Sequence, residues 1–376
     1  MQFLEQLLKI SSQDVSELQF RIQRSQLGYE ITSGQTTIGS IVGPNRSVRS
    51  IHLDRYLVKL VYSGHSGENQ ISALKYQAET ESSLGYVFPI NSLTIEREFE
   101  TDWEEHYANI AFYDILENQA HWGFVNEIQR DQLREGDLQL GNFISDNLSV
   151  VVFGRSNLRK FELDEKSIDL VLIQAGVIPA QAYLKNKVEL ANRDWHPTIP
   201  LRNVSSKVLD EVEVLTSFVL DVSSDGSTLG RFLGLYQIIE FFSGKVFEDG
   251  IEYIRNNDAD QWVIKDRLSK IQSDKFRLSR ISERIAVLSS VNLNCDKLRR
   301  ACAEMMAELQ PGFKKDDNWI NVLYKTRNIV VHNQIALAGL GLTKFVQINK
   351  YLASVCLDLL FHFDEADFDG LWQLPN

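Results

Sequence analysis

Trp319-Ile-Asn-Val-Leu-Tyr-Lys-Thr-Arg327-Asn328-Ile-Val-Val-His332-Asn333 places a fixed cation, an amide and a titratable imidazole in one short apolar run. Ile320, Leu323, Tyr324 and Val331 recur at helical spacing, so the run is expected to be a helix with one face packed against neighbours. Asn328 and His332 then stand at i and i+4 on one face, where the amide can hold the imidazole in one tautomer. Arg327 lies about a quarter-turn aside, within reach of the same spot through its long stem. This trio suits a phosphodiester: an imidazole moves a proton and a guanidinium offers a planar fork to phosphate oxygens. In isolation, an Arg and a His on a packed helix are more often a surface ion pair or a satisfied core histidine.

Around this run, from about Ser206 onward, the apolar residues keep a helical period. Phe232, Leu235, Tyr236 and Ile239 form one stripe; Leu298, Ala301, Cys302, Met305, Met306 and Leu309 form another. Phe345, Ile348, Leu352, Val355, Leu359 and Phe363 form a third. Asp225-Gly226-Ser227 and Pro311-Gly312 separate these segments, and striped helices with short connections make a bundle.

Arg327-Asn328-x-x-x-His332 resembles the signature of the HEPN superfamily (higher eukaryotes and prokaryotes nucleotide-binding), carried on a late helix with one closing helix after it. Arg231-Phe-Leu-Gly-Leu-Tyr-Gln-Ile-Ile-Glu240-Phe-Phe looks like the early bundle helix of the abortive-infection-type (ApeA-like) branch. The resemblance covers less than half the chain. It implies a metal-independent endoribonuclease without cofactors, acting as a homodimer in which two copies of the motif form one cleft. It further implies a toxin or antiviral-defence role. On this basis His332 is the general base or acid, Arg327 stabilises charge on the phosphorane and Asn328 orients. Lys325, Arg277, Arg280 and Arg284 are the candidate RNA contacts. The alternative is a non-catalytic bundle for dimerisation and RNA or ligand binding, with the biology carried by the N-terminal half.

That half has a different period. Phe20-Arg-Ile-Gln, Tyr29-Glu-Ile-Thr, Thr37-Ile-Gly-Ser-Ile-Val, Ser47-Val-Arg-Ser-Ile-His-Leu and Tyr56-Leu-Val-Lys-Leu-Val-Tyr are strand-like. Gly43-Pro44-Asn45 and Ser63-Gly64-His65-Ser66-Gly67 read as turns, and the whole as a sandwich or a strongly bent sheet. Glu96, Glu98, Glu100 and Asp102 alternate as the solvated face of a strand. Farther on, Phe124 to Leu133 reads as a helix, and Leu148-Ser-Val-Val-Val-Phe-Gly and Ile168-Asp-Leu-Val-Leu-Ile as buried strands. The breaker-rich stretch Asn192-Arg-Asp-Trp-His-Pro-Thr-Ile-Pro200 precedes the expected boundary. The expectation is an α+β multidomain chain, with a β-rich sensing or regulatory domain over residues 1–205 and an all-α bundle over 206–376.

At 376 residues the chain suits two or three domains, and its 44% hydrophobic and 24% charged content is that of a globular protein. A formal net charge of −12 argues against a coat for nucleic acid, so RNA would need a local basic patch. Between Lys265 and Arg300 ten basic residues face four acidic ones, the best candidate for that patch, with a plain solvated helix face as the other interpretation. Cys295, Cys302 and Cys356, an odd number on helical segments, read as reduced core thiols of a cytoplasmic protein. The short amphipathic start is not a signal peptide, and no apolar run approaches the roughly 20 residues a bilayer needs. Zinc-spaced Cys or His pairs, a phosphate-binding glycine loop and a nucleophile with its base are absent from the sequence. Gly339-Leu-Gly341 reads as a helix break. Glu365-Ala-Asp367-Phe-Asp369-Gly370 begins like a calcium loop but has Asn376 where the bidentate Glu belongs. RNA, a second copy of the chain and a regulatory or trigger protein are the expected partners.

Overall fold

A computed structural model describes residues 20–25, 28–33, 35–44, 52–62, 70–77, 83–94, 97–118, 137–142, 144–145, 147–180, 197–224, 226–257, 260–286, 289–310, 312–313, 318–333, 337 and 343–363. The chain divides into two units, Met1–Asn203 and Val204–Asn376. The first is β-rich and the second helical, an α+β layout.

In the first unit β1 (Phe20–Arg24), β2 (Gly28–Ser33) and β3 (Thr36–Val42) form an antiparallel meander, with β4 (Tyr56–Tyr62) next in the chain. β5 (Ser72–Tyr76) and β6 (Ser83–Pro89) follow, and then α1 (Asp102–Glu117). β7 (Asp137–Leu138) adds to β3 in parallel, giving a four-stranded sheet in the order β1-β2-β3-β7. β8 (Leu148–Gly154) pairs antiparallel with both β6 and β4 and is buried along its whole length, Ser149 included, as its largely apolar run requires of a central strand. Beyond it come α2 (Arg155–Lys160), α3 (Ile168–Gln174), β9 (Ile178–Pro179) and β10 (Thr198–Leu201). The six-stranded sheet runs β10-β5-β6-β8-β4-β9.

The two sheets are joined by a helix, so the unit is not a plain sandwich. From Tyr107 to Leu116 every residue of α1 is buried. Its side chains share one core with Tyr29, Ile31 and Ile41 of the small sheet and with Leu60, Phe88, Val150 and Val152 of the large one. Because that stretch is buried all round, with Asn109 and Asp114 buried among the apolar side chains, α1 shows no 3.6-residue stripe in the sequence. Its start corrects the expected acidic strand. Thr101 caps it by accepting from the Glu104 amide at 3.2 Å, and the Glu104 carboxylate accepts from the Glu100 amide at 3.0 Å. Asp102, Glu104 and Glu105 lie in the first turn, where the helix dipole favours negative charge. Glu98, Glu100 and Asp102 do face solvent.

Ile168–Ile173 is a second correction: this run is helix α3 rather than a strand. Every apolar side chain in it is buried, which leaves strand and buried helix indistinguishable by period. The signal that separates them is Asp164, whose side chain accepts from the Lys166 amide and starts the turn leading into α3. Thr198–Leu201, at the end of the breaker-rich stretch that precedes the boundary, pairs parallel to β5. Pro200 fits because β10 is an edge strand, where a missing N–H costs no ladder bond. Most of the stretch from Ser47 to Leu53, the Ser63–Gly67 turn, the Phe124–Leu133 helix, Gly339–Gly341 and Glu365–Gly370 lie outside the described residues.

The second unit opens with a short 3₁₀ turn at Ser206–Glu211 and α4 (Val212–Ser224). α5 (Thr228–Asn257), α6 (Gln261–Ile271), α7 (Asp274–Ala286), α8 (Ser289–Leu309), α9 (Trp319–His332) and α10 (Thr343–His362) follow. The stripes seen in the sequence are its core. Phe232 on α5 meets Phe345 on α10 edge-to-face, and Phe242 meets Phe363 with centroids 4.5 Å apart. α10 packs on α5 and α8, and α9 on α8 and α7. Gly312, with φ at +92°, turns the chain after α8 through a conformation that a side chain would oppose. All three cysteines are buried and free; burial pushes Cys295 and Cys302 up to about 12, so they stay thiols. Among the described residues no helix is long and apolar enough to cross a membrane.

Candidate functional site

Helix α9 starts at Asn318, whose side chain accepts from the Ile320 amide and also receives the Ser282 hydroxyl of α7 at 3.0 Å. One cap thus fixes both the start of α9 and its position on α7. Trp319, Ile320, Val322, Leu323, Thr326 and Val330 form the buried face. Two members of the expected stripe fall outside it: Tyr324 is half-buried and Val331 is exposed. The polar trio lies off the buried face. Arg327 and Asn328 are partly exposed, and His332 ends the helix in solvent.

Within one chain the trio does not converge. The Arg327 guanidinium donates to Glu240 Oε1 of α5 at 3.1 Å and to Asn328 Oδ1 at 3.4 Å, and it lies over the Tyr236 ring, 5.7 Å from its centroid. Asn328 therefore orients the guanidinium; among the described residues no hydrogen bond joins it to His332. Five residues along a helix turn Arg327 and His332 about 140° apart. Lys325 is exposed, its ammonium 5.2 Å from the centre of the Phe313 ring.

Arg327 opens onto a pocket of about 280 Å³ between α5, α7 and α9. From α5 it takes Tyr236, Glu240, Ser243 and Gly244, which recur at i, i+4, i+7 and i+8 and so share a face. α7 supplies Asp274, Arg277 and Leu278, and α9 supplies Tyr324 and Arg327. The charges come as two pairs, Arg327 with Glu240 and Arg277 with Asp274. Burial raises the pKa of the Tyr236 hydroxyl, with the nearby Glu240 charge adding to it, so the phenol remains a neutral donor.

The basic strip is largely committed to the bundle itself. Arg277 pairs with Asp274 and lies over Phe247; Arg280 pairs with Glu283 at 2.5 Å and lies over Phe276. Arg284 is 5% exposed, donates to Asp249 Oδ2 at 3.0 Å and stacks 4.2 Å over Phe363. Asp249 also receives Lys207 at 2.6 Å, a three-membered ion cluster whose Arg284 is buried and whose Lys207 reaches solvent. Lys270, Arg299 and Arg300 pair with Asp266 and Asp296. Of the four proposed RNA contacts, only Arg277 shares the pocket with Arg327.

Tyr236, Glu240, Asp274 and Tyr324 were not singled out as site residues in the sequence. Tyr236 and Tyr324 stood in apolar stripes, and Glu240 lay in the segment that resembles the early bundle helix. The legible signal was Tyr236-x-x-x-Glu240-x-x-x-Gly244, an aromatic, an acid and a glycine on one helix face. No protein family, no curated protein and no solved structure matches the chain.

Proposed function

We propose that the helical unit is a metal-independent endoribonuclease of the HEPN type, cutting RNA through its own 2′-hydroxyl. The observation carrying this is the exposure of the motif: His332 stands in solvent rather than in the core, and Arg327, 29% exposed, reaches the edge of a pocket. The 2′-oxygen attacks phosphorus while the 5′-oxygen leaves, giving a 2′,3′-cyclic phosphate and a 5′-hydroxyl. His332 takes the 2′-hydroxyl proton or gives one to the leaving oxygen, and Arg327 stabilises the charge on the phosphorane. Asn328 holds the guanidinium. Since Arg327 and His332 diverge within one helix, the cleft draws on two copies of the chain in a homodimer. A toxin or phage-defence role in the cytoplasm, under the control of the β-rich unit or of a trigger protein, follows from the same resemblance.

One observation favours a second reading. Arg327 is already neutralised by Glu240, as a structural pair would be, and a bundle that only dimerises and binds RNA or a ligand would keep it so. Incubating the purified protein with mixed RNA in EDTA separates the two. Cleavage that His332→Ala abolishes supports the enzyme; binding without cleavage supports the rival.

A further inference from the structure

The pocket beside Arg327 holds more recognition chemistry than a phosphate needs. Tyr324, half-buried on α9, offers a ring on which a base can stack, while Tyr236, 4% exposed with Arg327 over its ring, lines the space from α5. Each of its carboxylates bonds an arginine through one oxygen: Glu240 Oε1 takes Arg327 and Asp274 Oδ1 takes Arg277. The second oxygen of each has no partner among the described residues. Arg277 lines the pocket with its side chain 21% exposed, so its guanidinium is within reach of a ligand there. At Gly244 a Cβ would find nothing within 4 Å, so the α5 wall stands back from the space. The volume lies just below the range of ordinary small-ligand sites, about 300 Å³ upward, and suits one nucleotide.

We propose that this pocket seats a guanine nucleotide, the base stacked on Tyr324 and its phosphate on Arg327, so that the bundle selects the base beside the bond it cuts; this rests on the ribonuclease reading above. The choice of base follows from donors and acceptors. A carboxylate only accepts, and guanine alone presents two adjacent donors, N1–H and N2–H₂, to one. Adenine and cytosine set an amino group beside an acceptor nitrogen, and uracil sets one N–H between two carbonyls. Guanine O6 and N7 are in turn a matched pair for a guanidinium such as Arg277. Arg277 and Asp274, side by side in the first turn of α7, supply both halves of this pattern.

The test is calorimetric titration of the full-length protein with guanosine, adenosine, cytidine and uridine monophosphates and with inorganic phosphate. It uses wild type, Gly244→Met, which fills the pocket without removing a charge, and Asp274→Asn. The guanosine nucleotide is expected to bind at least tenfold more tightly than the other three and than phosphate. Gly244→Met should weaken it at least tenfold, and Asp274→Asn should erase its advantage over the adenosine nucleotide. Equal binding of all four nucleotides, binding of phosphate alone, or unchanged affinity in both variants would overturn the proposal. Guanosine nucleotide binding without RNA cleavage would keep the pocket and remove the ribonuclease. Cleavage with no nucleotide binding would do the reverse.

Discussion

Arg327 and His332 share a helix and differ in what holds them. The Arg327 pair with Glu240 is partly exposed, so Arg327→Ala should cost at most about 1 kcal/mol of stability. His332 is exposed at the helix end, and its truncation should stay within about 0.5 kcal/mol. Both variants are therefore expected to melt close to wild type in calorimetry while losing RNA cleavage; unfolding by either would make the pair structural. Arg284 is the opposite case. Replacing it leaves Asp249 partly uncompensated in a buried setting, so Arg284→Glu should destabilise the bundle by about 3–5 kcal/mol, readable as a lower denaturant midpoint. Charge reversal that tests RNA binding thus belongs at Arg277 and Arg280, where a weaker affinity and a flatter salt dependence are expected. In the first unit His106 bonds the Tyr56 hydroxyl at 2.7 Å, and burial holds its pKa below the ordinary value. The unfolded chain then takes up a proton at higher pH than the folded one. Stability is complete above about pH 6.5 and declines as pH falls below it. Melting between pH 7.5 and 5.5 should show a steeper loss in wild type than in His106→Gln, and equal slopes would rule out His106 as a source of the loss.

At the scale of elements, α5 carries two glycines with opposite tasks. A Cβ at Gly234 would lie 2.6 Å from Val222 Cγ2 of α4, so Gly234→Ala must push the helices apart and should cost about 1–3 kcal/mol. Gly244 faces open space, and Gly244→Ala should stabilise by about 0.5–1 kcal/mol through helix propensity alone. Opposite shifts in midpoint are the expected result, and shifts of one sign would mean that α5 does not pack this way. Glu240 holds Arg327 in the resting bundle, so Glu240→Gln should tighten RNA binding; unchanged or weaker binding would show that the pair does not compete with phosphate. Helices α5, α8, α9 and α10 were legible because each buries one face and leaves the other in water, which writes a 3.6-residue period into the chain. α1 and α3 were not, because burial on every side erases that period, and only the caps at Thr101 and Asp164 betrayed them. The pocket was half legible: Arg327 stood out as a cation in an apolar run and Arg277 as part of a basic surplus, whereas Tyr236 and Tyr324 stood in apolar stripes and Glu240 was one residue of the segment resembling the early bundle helix.

On the scale of the whole molecule, each unit has a core built from its own segments. A fragment from Val204 to Asn376 is expected to fold, with cooperative melting, and to cut RNA at a rate or with a sequence choice different from the full chain. Identical cleavage by fragment and full-length protein would leave the β-rich unit without a part in either control or recruitment. The acidic chain as a whole repels RNA, so the proposed binding requires a local attraction, and most of the basic strip is already paired with the bundle's own carboxylates. The proposed cleavage rests on one helix end. The most direct measurement treats a labelled RNA oligonucleotide and its 2′-deoxy counterpart, in EDTA, with wild type, Arg327→Ala and His332→Ala, and reads the product termini by mass. Cleavage of the RNA alone, by wild type alone, leaving a 2′,3′-cyclic phosphate and a 5′-hydroxyl, is the expected result; cleavage of the deoxy strand, identical products from all three proteins, or no cleavage would contradict it.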